Sequence, residues 1–262
     1  MSAVRRHRLT VAYDGRPFAG WQSQASGNTV QDILLAALQS ICSEIETVQG
    51  SGRTDSGVSA DAQIAHFDAP KEWRMNSAEW RKALNAKLPP AIRIFDCDVV
   101  DADFHARFSA EGKRYGYRIE TGEALPPLLA GLAWHRRGLD LGDALLNASA
   151  LFEGTHDFRA FSANRNDGKD AERDTVRTIF RADVERTGDH SVIIRFEGNG
   201  FLYKMVRFLV GSIVYCVEGR FAPTEIEALL QGCVDRKAPF CAPADGLKLE
   251  KVFYPESLSS NT

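Results

Sequence analysis

From Phe201 to Val217 the chain is apolar on nearly every side, with formal charge only at Lys204 and Arg207. A helix that is hydrophobic all round must be buried all round. Such a segment requires other elements packed on several of its faces, and so a layered fold. It is too short for a bilayer, because its uninterrupted apolar run is Phe208 to Val217 and a span needs about 20 residues.

The surrounding chain alternates between the periods of strands and helices. Arg8 to Tyr13 alternates and ends in Asp14-Gly15, a strand and a turn. Thr29, with Asp32 three residues on, opens a helix whose apolar face is Val30, Ile33, Leu34, Ala37, Leu38 and Ile41. A glycine-rich loop, Gly50 to Gly57, precedes a strand over Ala62 to Phe67. Ser77 begins a helix that Pro89-Pro90 must stop, and Ile92 to Val100 is a strand. The pattern then recurs. Lys113 to Ile119 is a strand with Tyr115, Tyr117 and Ile119 on one face, and Leu141 to Phe152 has helical spacing. Val176 to Val184 and Ser191 to Glu197 form a hairpin across Gly188-Asp189. Thr224 and Glu227 cap a helix that Gly232 ends, and Leu247 to Tyr254 is a last strand. This order predicts an α+β fold with a mostly antiparallel sheet and helices packed on it. The chain divides near Phe104 to Gly112, giving an N-terminal half (1–108) with the glycine-rich loop and a C-terminal half (109–262) with the tyrosine strand and the buried helix.

Composition narrows the function. The 262 residues carry a net charge of −3, which argues against a uniformly basic nucleic-acid binder but leaves room for a local basic stripe. Five cysteines with no CxxC pair speak against a zinc site or a disulfide framework, and for a reducing, cytoplasmic setting. The N-terminal segment lacks the apolar core of a signal peptide, so none is expected. The six histidines have no metal-binding spacing, and His66 in its apolar strand reads as a hydrogen-bonded core residue. No GxSxG accompanies the scattered serines.

Three features could carry chemistry. The loop Gly50-Ser51-Gly52-Arg53-Thr54-Asp55-Ser56-Gly57 lets a ligand approach its backbone and contains one carboxylate, Asp55. An ionised carboxylate can be a covalent nucleophile, and a nearby cation such as Arg53 favours ionisation. The same residues also suit a plain Asp-Ser-Gly turn. Arg207 in the apolar helix needs a carboxylate or a path to water, so it either holds an acid or snorkels from the helix end. In Phe104-His105-Ala106-Arg107-Phe108 and Lys113-Arg114-Tyr115-Gly116-Tyr117-Arg118, cations interleave with aromatics, which suits stacked bases and phosphates. It equally suits a strand with tyrosines inside and arginines in water. Further basic residues, among them Arg5, Arg6, Arg8, Arg136, Arg137, Arg159, Arg165, Lys169, Arg173 and Arg177, lie among acids. The polar run Asn164 to Asp174 reads as a mobile loop.

Taken in order along the chain, these residues resemble the TruA-type tRNA pseudouridine synthases. Gly52-Arg53-Thr54-Asp55-Ser56-Gly57-Val58 resembles that family's GRTDAGV loop. Tyr13-Asp14-Gly15 with Phe18-Ala19-Gly20-Trp21-Gln22 resembles its YDG…F.GWQ opening, and Asp103 to Ala110 its DFHARFSA. Lys113-Arg114-Tyr115-Gly116-Tyr117, Gly154 to Phe158, Phe201 to Gly211 and Ala242-Pro243 to Tyr254-Pro255 fit as well.

The resemblance implies two ferredoxin-like halves with a central active-site cleft. It implies isomerisation of uridine to pseudouridine at positions 38, 39 and 40 of the tRNA anticodon stem-loop by a homodimer, without cofactor or metal. Asp55 would be the nucleophile, Arg207 its cationic partner, Tyr115 the residue stacked on the uracil, and Arg53 the residue that keeps the nucleotide out of the helix. Arg107, Lys113 and Arg114 would contact RNA. The chain departs from the family at Ser56 for alanine, at Ser59 for histidine, and at Asp61-Ala62-Gln63. Two other readings compete: a non-catalytic RNA-binding protein on this scaffold, and a glycosidase or nucleosidase. The latter needs a second carboxylate, for which Asp61 is the nearest downstream candidate.

Overall fold

The computed structural model describes residues 4–165, 168, 172–234 and 236–258. Lys169 and part of the expected loop from Asn164 to Asp174 lie outside the described residues. In chain order the elements are β1 (Val4–Tyr13), α1 (Val30–Gln39), β2 (Gln49–Gly50), β3 (Ser59–Pro70), α2 (Ser77–Lys87) and β4 (Ile92–Val100). There follow β5 (Gly112–Glu120), β6 (Trp134–His135), α3 (Asp143–Ala150), β7 (Gly154–Asp157), β8 (Val176–Gly188), β9 (Ser191–Gly198), α4 (Met205–Val217), α5 (Pro223–Leu230) and β10 (Leu247–Phe253). The fold is α+β with mostly antiparallel strand pairs, as the alternation of periods predicts.

The chain forms two compact units, Met1–Glu111 with Lys248–Thr262, and Gly112–Leu247. In the first, β1 lies between β3 and β4, antiparallel to both. The far edge of β3 takes β2 antiparallel at Ala65 and His66, and β10 parallel at Ser59 and Ala60. The order β4-β1-β3-β2 with helices after β1 and β3 is the split β-α-β arrangement of ferredoxin-like folds. Thr29 caps α1: its Oγ1 accepts from Asp32 N (3.2 Å) and donates to Asp32 Oδ2 (2.5 Å). Val30, Leu34, Ala37 and Leu38 are the buried face. Asn76 and Glu79 form a reciprocal capping box at the start of α2.

In the second unit the strand order is β5-β9-β8-β7, every neighbour antiparallel, with β6 parallel to β5. Tyr115, Tyr117 and Ile119 are all buried, on the face their alternation predicts. The apolar segment is helical only from Met205, because Lys204 adopts a left-handed conformation (φ 60°). Leu202–Met205 instead form a turn in which Met205 N donates to Leu202 O (3.1 Å). At α5 the cap lies two residues earlier than Thr224. Ala222 N donates to Glu225 Oε2 (2.9 Å), and Pro223 opens the helix, where a missing N–H costs nothing. Gly232 ends it with φ 69°. Among the described residues no helix is long and apolar enough to cross a membrane.

Candidate active site

The loop carrying Asp55 joins β2 to β3, and polar side chains beneath it fix its first half. Ser51 N donates to Ile64 O (2.7 Å), Ser51 Oγ to Gln63 Oε1 (2.5 Å), and Gln63 Nε2 to Gly52 O (2.9 Å). Ser51 and Gln63 are fully buried, so these bonds replace water that neither group could otherwise recover. Thr54 is held at two atoms. Its Oγ1 bonds the Tyr13 hydroxyl (2.8 Å), and its carbonyl accepts from Trp21 N (3.1 Å). After Asp55 the chain turns: Val58 N donates to Asp55 O (3.1 Å) with Gly57 at φ 80°, the angle a type II turn requires at its third residue. Asp55 is half-buried, with Thr54 before it buried, Ser56 after it exposed, and Val58 at the far end of the turn buried again.

Glycines let the chain from Tyr13 to Trp21 lie directly against this loop. A Cβ on Gly15 would stand 2.1 Å from Val58 O, and one on Gly20 (φ 98°) 2.6 Å from Thr54 O. On the strand before the loop, a Cβ on Gly50 would enter the Trp21 indole at 2.4 Å. The sequence contains Tyr13, Gly15, Gly20 and Trp21 as a conspicuous motif but says nothing of what they touch. Only the polar Gln63 inside an apolar strand hinted at a buried network. Ser59, a departure from the family pattern, accepts from Gly15 N through its Oγ (2.9 Å). Asp61 pairs with Lys248 (2.7 Å), both side chains substantially exposed, so it is engaged in a surface ion pair.

Of the other predicted residues in the first unit, Arg53 is exposed, its Nε donating to Gln22 Oε1 (3.1 Å). Gln22 is in turn tied to Gln31 (2.8 Å). Arg107 is exposed, with its guanidinium 5.5 Å from the Phe108 ring, and Phe108 itself is 76% exposed. His105 Nδ1 accepts from Arg107 N and Phe108 N (3.1 and 3.2 Å), which sets this turn. His66 Nδ1 accepts from Ala106 N (3.1 Å), the core role expected of it. Burial, reinforced by Arg6, lowers its pKa to about 4 and keeps it neutral.

In the second unit, Tyr115 lies on β5 and meets Phe201 edge-on at 5.0 Å, a contact that the turn before α4 makes possible. Arg114 stands opposite Glu197 in the strand register and donates from Nε to Glu197 Oε1 (2.6 Å). Lys113, beside it, is half-buried. Arg207 is half-buried rather than enclosed, and its Nε donates to Ala242 O (2.7 Å). Tyr117, just beneath on β5, gives its hydroxyl to Pro243 O (2.8 Å). Burial pushes its pKa far above the ordinary tyrosine value, opposed by the Arg207 charge. Lys204 Nζ lies 5.1 Å from the Tyr203 ring. Most of the other arginines singled out by sequence pair with acids: Arg6 with Asp68, Arg8 with Asp98, Arg136 with Glu218, Arg137 with Glu123, Arg159 with Asp157 and Arg177 with Asp174. Among the described residues no three His, Cys, Asp or Glu side chains gather in a way that could hold a metal ion.

A glycine-bedded loop with one carboxylate, on an α+β scaffold bearing aromatic and basic strands, has the makings of an RNA-modifying enzyme. The chain matches the tRNA pseudouridine synthase family over residues 9–109 and 148–255, and it belongs to that family. It is thus an isomerase that acts on tRNA. A relative from Akkermansia muciniphila named tRNA pseudouridine synthase A is 47% identical, over 97% of this chain and 96% of its own. Relatives of the same name from Syntrophotalea carbinolica and Geobacillus kaustophilus are 40% and 39% identical over 97% of this chain, covering 97% and 96% of theirs. Among solved structures, a Cbf5–Nop10–Gar1 complex aligns with 80% of this chain and 44% of that chain at 15% identity and TM-score 0.39.

Proposed function

We propose that the enzyme isomerises uridine to pseudouridine at positions 38, 39 and 40 of the tRNA anticodon stem-loop, with Asp55 as the nucleophile. The observation that carries this reading is the construction of the Gly50–Gly57 loop. Its single carboxylate is half-buried, and the residues on both sides of it are fixed by hydrogen bonds and by close glycine contacts. A nucleophile held in this way meets its target carbon without reorganising.

In this reading the target nucleotide leaves its stack, as base chemistry inside a stem requires. Asp55 attacks the ribose C1′, forming an O–C bond as the C1′–N1 bond breaks. The freed uracil rotates, C5 replaces the carboxylate on C1′, and the proton lost from C5 balances the one gained at N1. Arg207 serves as the cation that keeps Asp55 ionised. Tyr115 stacks on the uracil, and Arg53 holds the nucleotide extrahelical. Arg107, Lys113 and Arg114 bind the RNA backbone. A cytoplasmic homodimer is part of the same reading, and sedimentation of the purified protein tests the dimer.

Pseudouridine mapping on unmodified tRNA transcript, with wild-type protein and Asp55→Asn and nothing else added, tests the assignment. Wild type should convert uridines 38 to 40. The variant should bind tRNA and convert none. An active Asp55→Asn protein would remove the nucleophile role. Tight binding by wild type without conversion would favour the RNA-binding reading.

A further inference from the structure

We propose that Tyr13 is a positioning residue for the reaction: its buried hydroxyl, bonded to Thr54, holds the backbone that presents Asp55. This rests on the assignment of Asp55 as nucleophile.

Tyr13 ends β1, is almost wholly buried, and packs its ring against Trp21 at a centroid distance of 5.9 Å. A phenylalanine would fill that space, so the hydroxyl needs its own explanation. Burying a hydroxyl is costly unless it is hydrogen-bonded. Its partner is Thr54 Oγ1 at 2.8 Å, on the residue directly before Asp55. The phenol also interacts with Gln63, the side chain that anchors Gly52 O and Ser51 Oγ. Burial raises the Tyr13 pKa far above its ordinary value, so the group stays a protonated hydroxyl and works as a fixed hydrogen-bond partner rather than as a base.

The rest of the segment acts on the same loop. Trp21 N holds the Thr54 carbonyl at 3.1 Å, and Gly20 has no room for a side chain beside it. Gly15 abuts Val58 O, on the other side of Asp55, and Ser59 Oγ fastens Gly15 N at 2.9 Å. Both flanks of Asp55 are therefore clamped by the stretch from Tyr13 to Trp21. Within this clamp the Tyr13–Thr54 bond joins two side chains, so it can be removed without altering the backbone. A displacement of about 1 Å at a nucleophile can cost about 100-fold in rate.

The test compares Tyr13→Phe, Thr54→Val and Thr54→Ser with wild type and Asp55→Asn, measuring single-turnover kcat, tRNA Kd and Tm. Tyr13→Phe and Thr54→Val should each lose about 10- to 100-fold in kcat, with tRNA Kd changed less than about twofold. Thr54→Ser, which keeps the hydroxyl, should recover most of the loss. The double variant Tyr13→Phe/Thr54→Val should be no slower than the worse single one, since both remove one bond. If Tyr13→Phe keeps wild-type kcat while Asp55→Asn is inactive, the positioning role fails and the nucleophile stands. If Thr54→Ser loses as much kcat as Thr54→Val, the effect is packing and the proposal fails. If the kcat loss only follows a fall in Tm, it fails as well. Turnover by Asp55→Asn would overturn the nucleophile assignment, and this inference with it.

Discussion

Arg207 and Ala242 hold each other at two points: Arg207 Nε donates to Ala242 O at 2.7 Å, and Ala242 N donates to Arg207 O at 3.0 Å. The first bond ties the arginine's side chain to the loop before β10, and the second ties its backbone to the same loop. One turn on, Gly211 lets Phe240 O come within 2.2 Å of where a Cβ would stand. Ala242 thus holds Arg207 at its Nε and its backbone, and α4 lies close against Phe240.

Arg207→Lys should therefore be a poor replacement. An ammonium keeps the charge but has no Nε donor beside a second, separately aimed nitrogen. Turnover should fall at least about tenfold, and Tm by about 2–4 °C for each kcal/mol of the charged hydrogen bond lost, itself worth about 1.5–3 kcal/mol. Steady-state kinetics and calorimetry on the variant check this. A lysine enzyme with wild-type kcat and Tm would show that charge alone matters at this position.

Gly20→Ala should damage the site without touching any side chain in it. The residue needs φ 98°, and its Cβ would stand 2.6 Å from Thr54 O. The loop must shift or the backbone must strain, at a cost of about 1–3 kcal/mol. The expected outcome is a lowered Tm and a kcat loss larger than the change in tRNA affinity. A crystal structure of the variant should find Thr54 and Asp55 displaced.

Stability should fall on the acid side because two buried histidines refuse protons. His7, stacked on Phe67 at 5.0 Å, and His66 each have their pKa lowered to about 4, by burial first and then by Arg5 and Arg6 respectively. Unfolded, each titrates near its ordinary value of about 6.5. The unfolded chain binds more protons across that interval, so stability rises with pH there. The contribution is complete above about pH 6.5 and is lost as pH falls towards 4. Melting curves from pH 8 to 4 should show this decline, and His66→Gln, which can still accept from Ala106 N, should flatten it. Parallel curves for the two proteins would assign the decline to other groups.

The two candidate phosphate-binding arginines should behave differently with salt. Arg107 is exposed over Phe108, whereas Arg114 is ion-paired to Glu197 across the strand pair. A phosphate gains less from a cation that already has a carboxylate. Arg107→Ala should reduce the slope of log K against log salt for tRNA by about 1, and Arg114→Ala by clearly less. Filter binding over a series of salt concentrations measures both slopes.

Much of this architecture follows from local patterns. The alternation in Lys113–Ile119 buries Tyr115, Tyr117 and Ile119, and Thr29 caps α1 through Asp32, because both outcomes depend on neighbours within a few residues. The boundaries that differ are equally local but energetically close. Apolar periodicity runs on through Phe201 to Lys204, yet one left-handed residue, Lys204, delays the start of the helix to Met205. Thr224 and Glu227 have capping spacing, but so do Ala222 and Glu225, and Pro223 at the first helical position decides between them. The candidate site was legible as residues and not as a construction. Asp55 stands out as the one acid of a glycine-rich loop. That Tyr13 reaches Thr54, or that Gly15 presses on Val58, depends on pairing between distant strands, which no single stretch of sequence encodes.

The parallel pairing of β10 with the start of β3 has a consequence for biosynthesis. The first unit needs Lys248–Thr262 as well as everything up to Glu111, so the chain from Gly112 to Leu247 must emerge before that unit is complete. At roughly 5–20 residues per second, the strand bearing Ser59 and Ala60 waits on the order of ten seconds for its last neighbour. Until then its edge is open beside the Asp55 loop, a template for pairing with another nascent chain. Slower synthesis of Gly112–Leu247 therefore lengthens the interval for which this edge stays uncovered.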